Sequence, residues 1–578
     1  MAGPGAVVTF SPRELRPGHL AALPLAMPEQ SLTDPFRDPS APGLPRQRWR
    51  AACRAFVGLL PLGLTVALVW TSLDWFRLDG RLTAAEGALA GLSGLAVFWM
   101  AFAVATAILG LFWRPEPAPR PLRRLTVAIL LPIYGEPAEE TIGTAVQLLA
   151  GLAGKGRHGF SLHVLSDTRP AEAAQREEAV MAAARLRHPG LVLCYRRRAR
   201  NSDYKSGNIR DWVVAEGHAH EAMLILDADS VMGPDTVLRM VDAMARQAGT
   251  GLIQTIPRVL PGRTVWQGLQ SFASDVYGLN MGRGFALWTG SEGNFLGHNA
   301  LVRISAFAAS AGLPHLPGPA PRGGVILSHD FVEAALLRRA GWGVQMMPEA
   351  EDSHEDTPET LMGYLRRDQR WCQGNLQHLR LLFVPGLHPV SRFHLLQGAM
   401  AYLASVWWLL LLLLWALPGR DGTPPPPMTE AGMAAVIAGL LIAPKILGII
   451  AHLRWRGLTP GEAPRFAGLV LAEIVISALL APALMVQQVR AVLRILRGLD
   501  GGWVPHVAGR SDLRSLWRCH RIESGLGAAL LGLSLAGQIS LWLLPIGICL
   551  CLTIPLAALV QMPRASFTMR RVAPETTA

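Results

Sequence analysis

The chain is 578 residues long, 51% of them apolar and 17% charged, with a mean hydropathy of +0.29. Globular domains carry roughly 25% charged residues, so the missing charge belongs to segments that avoid water, which excludes a disordered or fibrous protein and disfavours a fully soluble enzyme. The formal net charge of +12 fits cytoplasmic loops beside membrane spans; no aromatic-basic RNA motif accompanies it, so no nucleic-acid partner is expected. Of the six cysteines only Cys549 and Cys551 are close together, inside an apolar run, and no disulfide framework or zinc pattern emerges.

Residues 1–50 hold nine prolines and no apolar period, and are expected to form a disordered tail. The first strongly apolar run begins only after residue 54, so no secretory signal is expected. Residues 55–73 and 87–113 carry no charge, and each run can cross a hydrocarbon core of ~30 Å. The short link 74–86 makes 51–113 a transmembrane hairpin. From about 121 to 390 the texture changes. TVAILL (126–131), SLHVLS (161–166), LVLCY (191–195) and AMLIL (222–226) read as buried strands, each followed by a helix-like stretch. That alternation predicts one water-facing α/β domain with a mainly parallel sheet and helices on both faces.

Apolar character returns at 395–419 and at 431–451, where Lys445 is the only charge, with an exposed turn at Pro424–Pro427 between them. The stretch 466–489 is interrupted by Glu473 and Pro482, and 524–563 carries no charge. Forty helical residues would span ~60 Å, so two short crossings that turn near Pro545 are expected. Together these make 394–563 a C-terminal membrane bundle, followed by a tail at 564–578.

Arg46, Arg48, Arg50 and Arg54 precede the first span, Arg114, Arg120, Arg123 and Arg124 follow the second, and Arg454, Arg456, Arg465, Arg564, Arg570 and Arg571 flank later ones. The positive-inside rule then puts 121–390 and both termini in the cytoplasm. Residues 490–523 carry seven arginines against three acids. A crossing at 466–489 would strand them outside, so 466–496 is expected to be an interfacial or re-entrant helix.

The chemistry concentrates at strand ends. Asp227-Ala-Asp229 directly follows AMLIL, and in an open α/β sheet the carboxyl ends of strands border the ligand crevice. Two carboxylates at i and i+2 can reach one hard cation that shares its other positions with phosphate oxygens, which makes this a metal–diphosphate site, the alternative being a solvated turn. Pro132 and Glu136 close the first strand and would line the same edge, as would Asp167 after the second. Asp167 can accept from a nucleobase or ribose, or cap the next helix. Lys205, in Lys-Ser-Gly-Asn208, begins a helix and suits anionic phosphate, with an ordinary surface lysine as the alternative.

Pro132-x-x-x-Glu136, Asp167, Lys205-x-Gly-Asn208 and Asp227-x-Asp229, in this order and spacing, resemble the processive family 2 glycosyltransferases, which include cellulose and hyaluronan synthases. Gln254-Thr-Ile-Pro257 is similar to the QTxP stretch of bacterial cellulose synthases. Ser328-His329-Asp330 stands at the TED-type aspartate, and Arg367-Asp-Gln-Arg370-Trp371 at Q-x-x-R-W. His329 replaces a glutamate and Arg367 a glutamine, which weakens a cellulose assignment more than a general synthase one. GHNALVR (297–303), SHDFVEAALLRRAGWGV (328–344) and RRDQRWCQGNLQH (366–378) resemble more closely the glucans biosynthesis glucosyltransferase H family, and that resemblance covers roughly 50–560.

The resemblance implies a GT-A domain (Rossmann-like, mainly parallel sheet) inserted in a multi-span α-helical membrane domain of the bacterial inner membrane. It implies inverting glucosyl transfer from UDP-glucose to a growing β-glucan, the backbone of osmoregulated periplasmic glucans, which is passed through the spans. Asp330 is then the general base, or the cap of the following helix. Asp227 and Asp229 hold a divalent metal, Mg²⁺ with Mn²⁺ as the alternative, and Arg370 clamps the diphosphate. His298, His329 and Trp371 line the acceptor path, each with a packing role as the alternative. The implied partners are UDP-glucose, the growing glucan, the lipid bilayer and a periplasmic glucan-modifying protein. Two rival readings are a cellulose or other β-glycan synthase, and a transporter or scaffold with a degenerate transferase domain. The intact acids at 167, 227, 229 and 330 argue against degeneracy. A zinc site of His298, His329 and His354 fits no common ligand spacing.

Overall fold

The computed structural model describes residues 24–44, 48–115, 123–416, 430–499 and 509–563. The four apolar runs form β1 (Thr126–Ile133), β2 (Gly159–Ser166), β3 (Leu193–Arg197) and β4 (Ala222–Ile225), joined by the helices Ala138–Ala153, Ala171–Arg187 and Tyr204–Glu216. Helices cover both faces of β1, so its alternate side chains enter two cores: Val127, Ile129 and Leu131 one, Ala128 and Leu130 the other. A strand buried on both faces needs no polar alternation. The remaining strands are β5 (Val231–Met232), β6 (Thr250–Thr255), β7 (Arg258–Val259), β8 (Ala300–Arg303), β9 (Gly343–Met347) and β10 (Ser353–Glu355).

The main sheet has the order β3-β2-β1-β4-β8-β6-β9, and within it β8 runs against the other strands. A small second sheet has the order β5-β10-β7. The reversal of β8 has a consequence for chemistry. Its first residue, Ala300, pairs with Ile225, so the loop before β8 meets the carboxyl end of β4. That edge gathers Glu136, Asp167, Asp227 and Gly297–Asn299.

Among the described residues, five helices are long and apolar enough to cross a membrane, or six if the bent pair Leu541–Cys551 and Thr553–Val560 is one span. Arg48–Phe76 and Ala84–Leu111 pair as a hairpin; a Cβ at Gly94 would lie 2.5 Å from Val69 Cγ2, so the glycine permits their close approach. Thr83 and Glu86 cap the second helix reciprocally. Ala463–Leu496 is continuous despite Pro482. Its Phe466 packs with Phe272, its Leu480 with Trp266 and Leu361, and its Ile495 with Cys372, so both ends lie against the α/β domain.

The charge-free stretch 524–563 breaks earlier than Pro545. Helix Leu513–Leu535 stops at Gly537, whose φ of 71° closes it with Gln538 N donating to Leu533 O at 2.9 Å. Pro545 instead occupies the first turn of helix Leu544–Cys551, where its missing N–H costs nothing.

The expectation of a disordered 1–50 fails for 24–44. This segment is a strap along the domain: Leu25 N donates to Val214 O (3.1 Å), Gln30 N to Gly312 O (2.8 Å) and Asp38 N to Ala340 O (3.0 Å). Buried Arg339 donates to the carbonyls of Ser31 and Asp34 and to the Gln30 side chain, and Trp342 Nε1 donates to Asp38 Oδ2 at 2.9 Å. Proline suits such an extended path, and partners some 300 residues away leave no trace in local composition. Residues 1–23, the Pro424–Pro427 turn and the tail 564–578 lie outside the described residues.

Asp38→Ala leaves the Trp342 N–H buried without its acceptor, at a cost of about 1–3 kcal/mol. The thermal midpoint should fall and tryptic cleavage at Arg37 should accelerate. Asp38→Asn keeps one acceptor oxygen, for Trp342 or for the Ser40 amide and hydroxyl but not both, and should cause a smaller change in each.

Candidate active site

The Leu226 amide still bonds to Leu130 O (3.0 Å), and the chain turns at Asp227, whose amide donates to Ser230 Oγ at 2.9 Å. The Asp227 carboxylate is ion-paired with the Lys205 ammonium, which also donates to Gly297 O at 2.7 Å. Lys205 reaches both because helix Tyr204–Glu216 is entered through Asp203 and Tyr204, at φ of 57° and 54°. Gly207 permits that tight entrance, since a Cβ there would lie 2.1 Å from Ser202 O.

Several acids share this edge. Burial opposes ionisation of Asp227, but Lys205 and then His298 override it and hold its carboxyl below the ordinary range. Burial and the Asp227 charge push the Asp229 carboxyl up to about 6. Glu136 is raised mainly by burial, against hydrogen bonds from backbone N–H groups. His298 stacks its ring nitrogens between Ser230 Oγ (3.4 Å) and Glu355 Oε2 (3.1 Å). Burial disfavours its imidazolium, yet Glu355 and Asp227 lift it to about 9. Two neighbouring carboxylates, one of them reluctant to ionise, fit a divalent cation whose charge would relieve both. Among the described residues no three His, Cys, Asp or Glu side chains form a ready metal cage, so the donor set calls for a ligand that brings its own oxygens.

Asp330 lies across the Gly297 loop: a Cβ at Gly297 would sit 3.5 Å from Asp330 Oδ2. It occupies the first turn of helix His329–Ala340, and the N-cap is Ser328, so Asp330 is not the cap. Burial raises its carboxyl, with His329 opposing. His329 itself pairs with buried Glu333 one turn on, at 3.1 Å.

Helix Leu361–Gln377 crosses the start of that helix at Gly374, where a Cβ would lie 2.6 Å from Ser328 N, and His378 Nε2 donates to Ser328 O at 2.9 Å. Arg370 on this helix feels Asp227 as its largest favourable charge, which opposes the lowering of its pKa by burial. Trp371 is 44% exposed beneath the Arg367 guanidinium, 4.6 Å from its ring centre. On another face, Asp368 accepts from Tyr402 Oη (3.2 Å) and Gln488 Nε2 (3.3 Å), tying the helix to Pro389–Ala416 and Ala463–Leu496.

Asp167 is the most fully engaged acid. Arg198 grips it through Nε and Nη2, both at 2.8 Å, and Asn208 Nδ2 adds a third bond at 3.0 Å. One lone-pair position on Oδ1 is left for a ligand. Pro170, not Asp167, is the N-cap of the next helix. Gln254 and Thr255 clamp the loop before β8, through Gln254 Nε2 to His298 O and Thr255 Oγ1 to Asn299 O, both at 2.9 Å. Pro132 sits inside β1, in register with Leu165. Sequence reasoning missed Arg198, Ser230 and Glu355; the basic run Arg196–Arg198 at the end of β3 was the available signal for the first.

Arg198→Gln strands a buried carboxylate. About 3–5 kcal/mol of stability should be lost, read as a lower thermal midpoint. Asp167→Asn, which removes the charge that Arg198→Gln would strand, should lower the midpoint less.

A family model described as glycosyl transferase family group 2 matches residues 222–420. A glucans biosynthesis glucosyltransferase H from Xanthomonas euvesicatoria pv. vesicatoria is 37% identical over 594 residues, covering 95% of this chain and 90% of that protein. Another, from Rhodopseudomonas palustris, is 38% identical and covers 96% of this chain and 81% of its own length. Among solved structures, a mannosyltransferase from Pyrobaculum calidifontis in complex with GDP-Man and Mn²⁺ aligns with 71% of this chain and 99% of that one, at 14% identity and a TM-score of 0.42. With identity of this order along nearly its whole length, the chain belongs to the glucans biosynthesis glucosyltransferase H family of glycosyltransferases.

Proposed function

We propose that this glucosyltransferase transfers glucose from UDP-glucose, with inversion, to the end of a growing β-glucan destined for the periplasm. The observation that supports it best is that Asp330 and the Asp227–Lys205 pair both meet the Gly297 loop. An acceptor hydroxyl needs a base on one side of the anomeric carbon, and the leaving diphosphate needs positive charge on the other. Asp330 takes the hydroxyl proton; its burial-raised pKa brings it closer to a useful base strength. Asp167 holds the uridine, in the acceptor position left by Arg198 and Asn208. Arg370 and Lys205 face the diphosphate. Asp227 and Asp229 hold a divalent cation, Mg²⁺ or Mn²⁺, which supplies Lewis-acid stabilisation of the leaving group.

His298 shapes the floor beside Asp229, and the exposed face of Trp371 gives the sugar acceptor a surface to stack on. UDP-sugars are made in the cytosol, and the arginine distribution supports a cytoplasmic α/β domain at the bacterial inner membrane. The apolar helices packed against the domain provide the route outward. A periplasmic glucan-modifying protein would then receive the chain.

Asp330→Asn should reduce glucose incorporation 10²–10⁴-fold, the usual contribution of a general base, while UDP affinity by calorimetry stays within twofold of about the wild-type value. Less than about a tenfold loss with intact binding removes the base role from Asp330. Chelation of divalent ions should abolish turnover reversibly, and Asp229→Asn should not recover on adding Mg²⁺ or Mn²⁺.

A further inference from the structure

A second polar cleft, of about 80 Å³, opens where helices Ala84–Leu111 and Glu430–Arg456 meet the α/β domain. One wall is the π-helical turn Ser274–Gly278, a rare element that tends to mark functional sites. Deep in the cleft, Arg283 is 7% exposed, with its guanidinium set against an edge-to-face pair of indoles, 4.8 Å from Trp113 and 5.1 Å from Trp455. Its Nε is buried without a hydrogen-bond partner. The acids of the cleft make their close contacts elsewhere: Asp275 and Glu351 lie 3.9 Å from Arg258. Burial and the charges of Arg258 and Arg456 lower the Arg283 guanidinium to about 10, against the opposing pull of Glu351 and Glu349. Arg456 stands exposed at the mouth, and Ile450 and Leu453 of its own helix, with Phe112 next to Trp113, leave apolar surface in the open.

We propose that this cleft binds the phosphate headgroup of an anionic phospholipid, with Arg283 and Arg456 meeting the phosphate and the acyl chains lying along Phe112, Ile450 and Leu453. Arginine suits phosphate because its planar fork offers several donors at once. Tryptophans at the end of apolar helices sit at headgroup level, and basic pockets between such helices recognise anionic headgroups. Occupancy would also reach the active site. Arg258, against the cleft, pairs in β7 with His354 of β10, and the next residue, Glu355, holds His298.

The test uses the full-length protein in phosphatidylcholine nanodiscs, with and without phosphatidylglycerol, and native mass spectrometry of lipids retained on release. Wild type should retain phosphatidylglycerol in preference to phosphatidylcholine. Arg283→Gln and Arg456→Gln should each lower that retention about fivefold, as removal of one headgroup-facing arginine implies. Arg456→Gln lies on an exposed helix end, so its result stands even where Arg283→Gln disturbs folding. Inorganic phosphate added to neutral nanodiscs separates a free anion from a lipid. Retention unchanged in both variants, or stabilisation by phosphate equal to that by phosphatidylglycerol, overturns the proposal.

Discussion

The site depends on keeping carboxyl groups together that would otherwise drive each other apart. Asp227, Asp229, Glu136 and Asp330 gather at one edge of the sheet, and the Asp227 charge raises the carboxyls of both Asp229 and Glu136. Lys205 is the counterweight. Its ammonium pairs with Asp227 and bonds to Gly297 O, so one side chain joins the end of β4, a helix start and the loop that faces Asp330. His298 does the same for Glu355. The reversed strand β8 matters because it alone brings that loop back to the edge. With a parallel strand in its place, the loop would begin at the opposite end of the sheet.

The catalytic domain and the apolar helices are joined by polar contacts as much as by apolar ones. Asp368 takes hydrogen bonds from Tyr402 and Gln488, and Arg494 donates to Gln369 at 3.1 Å. The helix that carries Arg370 is therefore fixed at once to the site and to the helices beside it. Lys445 and Glu473, the charges that interrupt two apolar stretches, are paired at 2.7 Å through both carboxylate oxygens. A buried pair of this kind costs desolvation and is tolerated because each charge is matched.

Much of this was legible in the sequence. The strands β1 to β4 show as apolar runs because burial on both faces removes polar alternation, and Asp227-Ala-Asp229 shows because it follows such a run directly. What escaped were partners supplied from afar. Arg198 meets Asp167 from 31 residues on, and Glu355 meets His298 from a three-residue strand with no pattern of its own. The strap at 24–44 escaped for a different reason. Its composition reads as unstructured, and its order comes from Arg339 and Trp342, which no local window contains. The turn near 537 was misplaced because the proline drew attention from the glycine that ends the helix.

Inverting transfer from an α-linked donor can yield only one anomer. The decisive measurement is therefore the configuration of the new bond, read by NMR on glucan made by the purified protein from UDP-glucose labelled with ¹³C at the anomeric carbon. The expected result is a β-linked polymer that carries the label. An α-linked product, or label released only as free glucose, would contradict a site in which Asp330 acts as base and the leaving diphosphate is met beside Asp227 and Lys205.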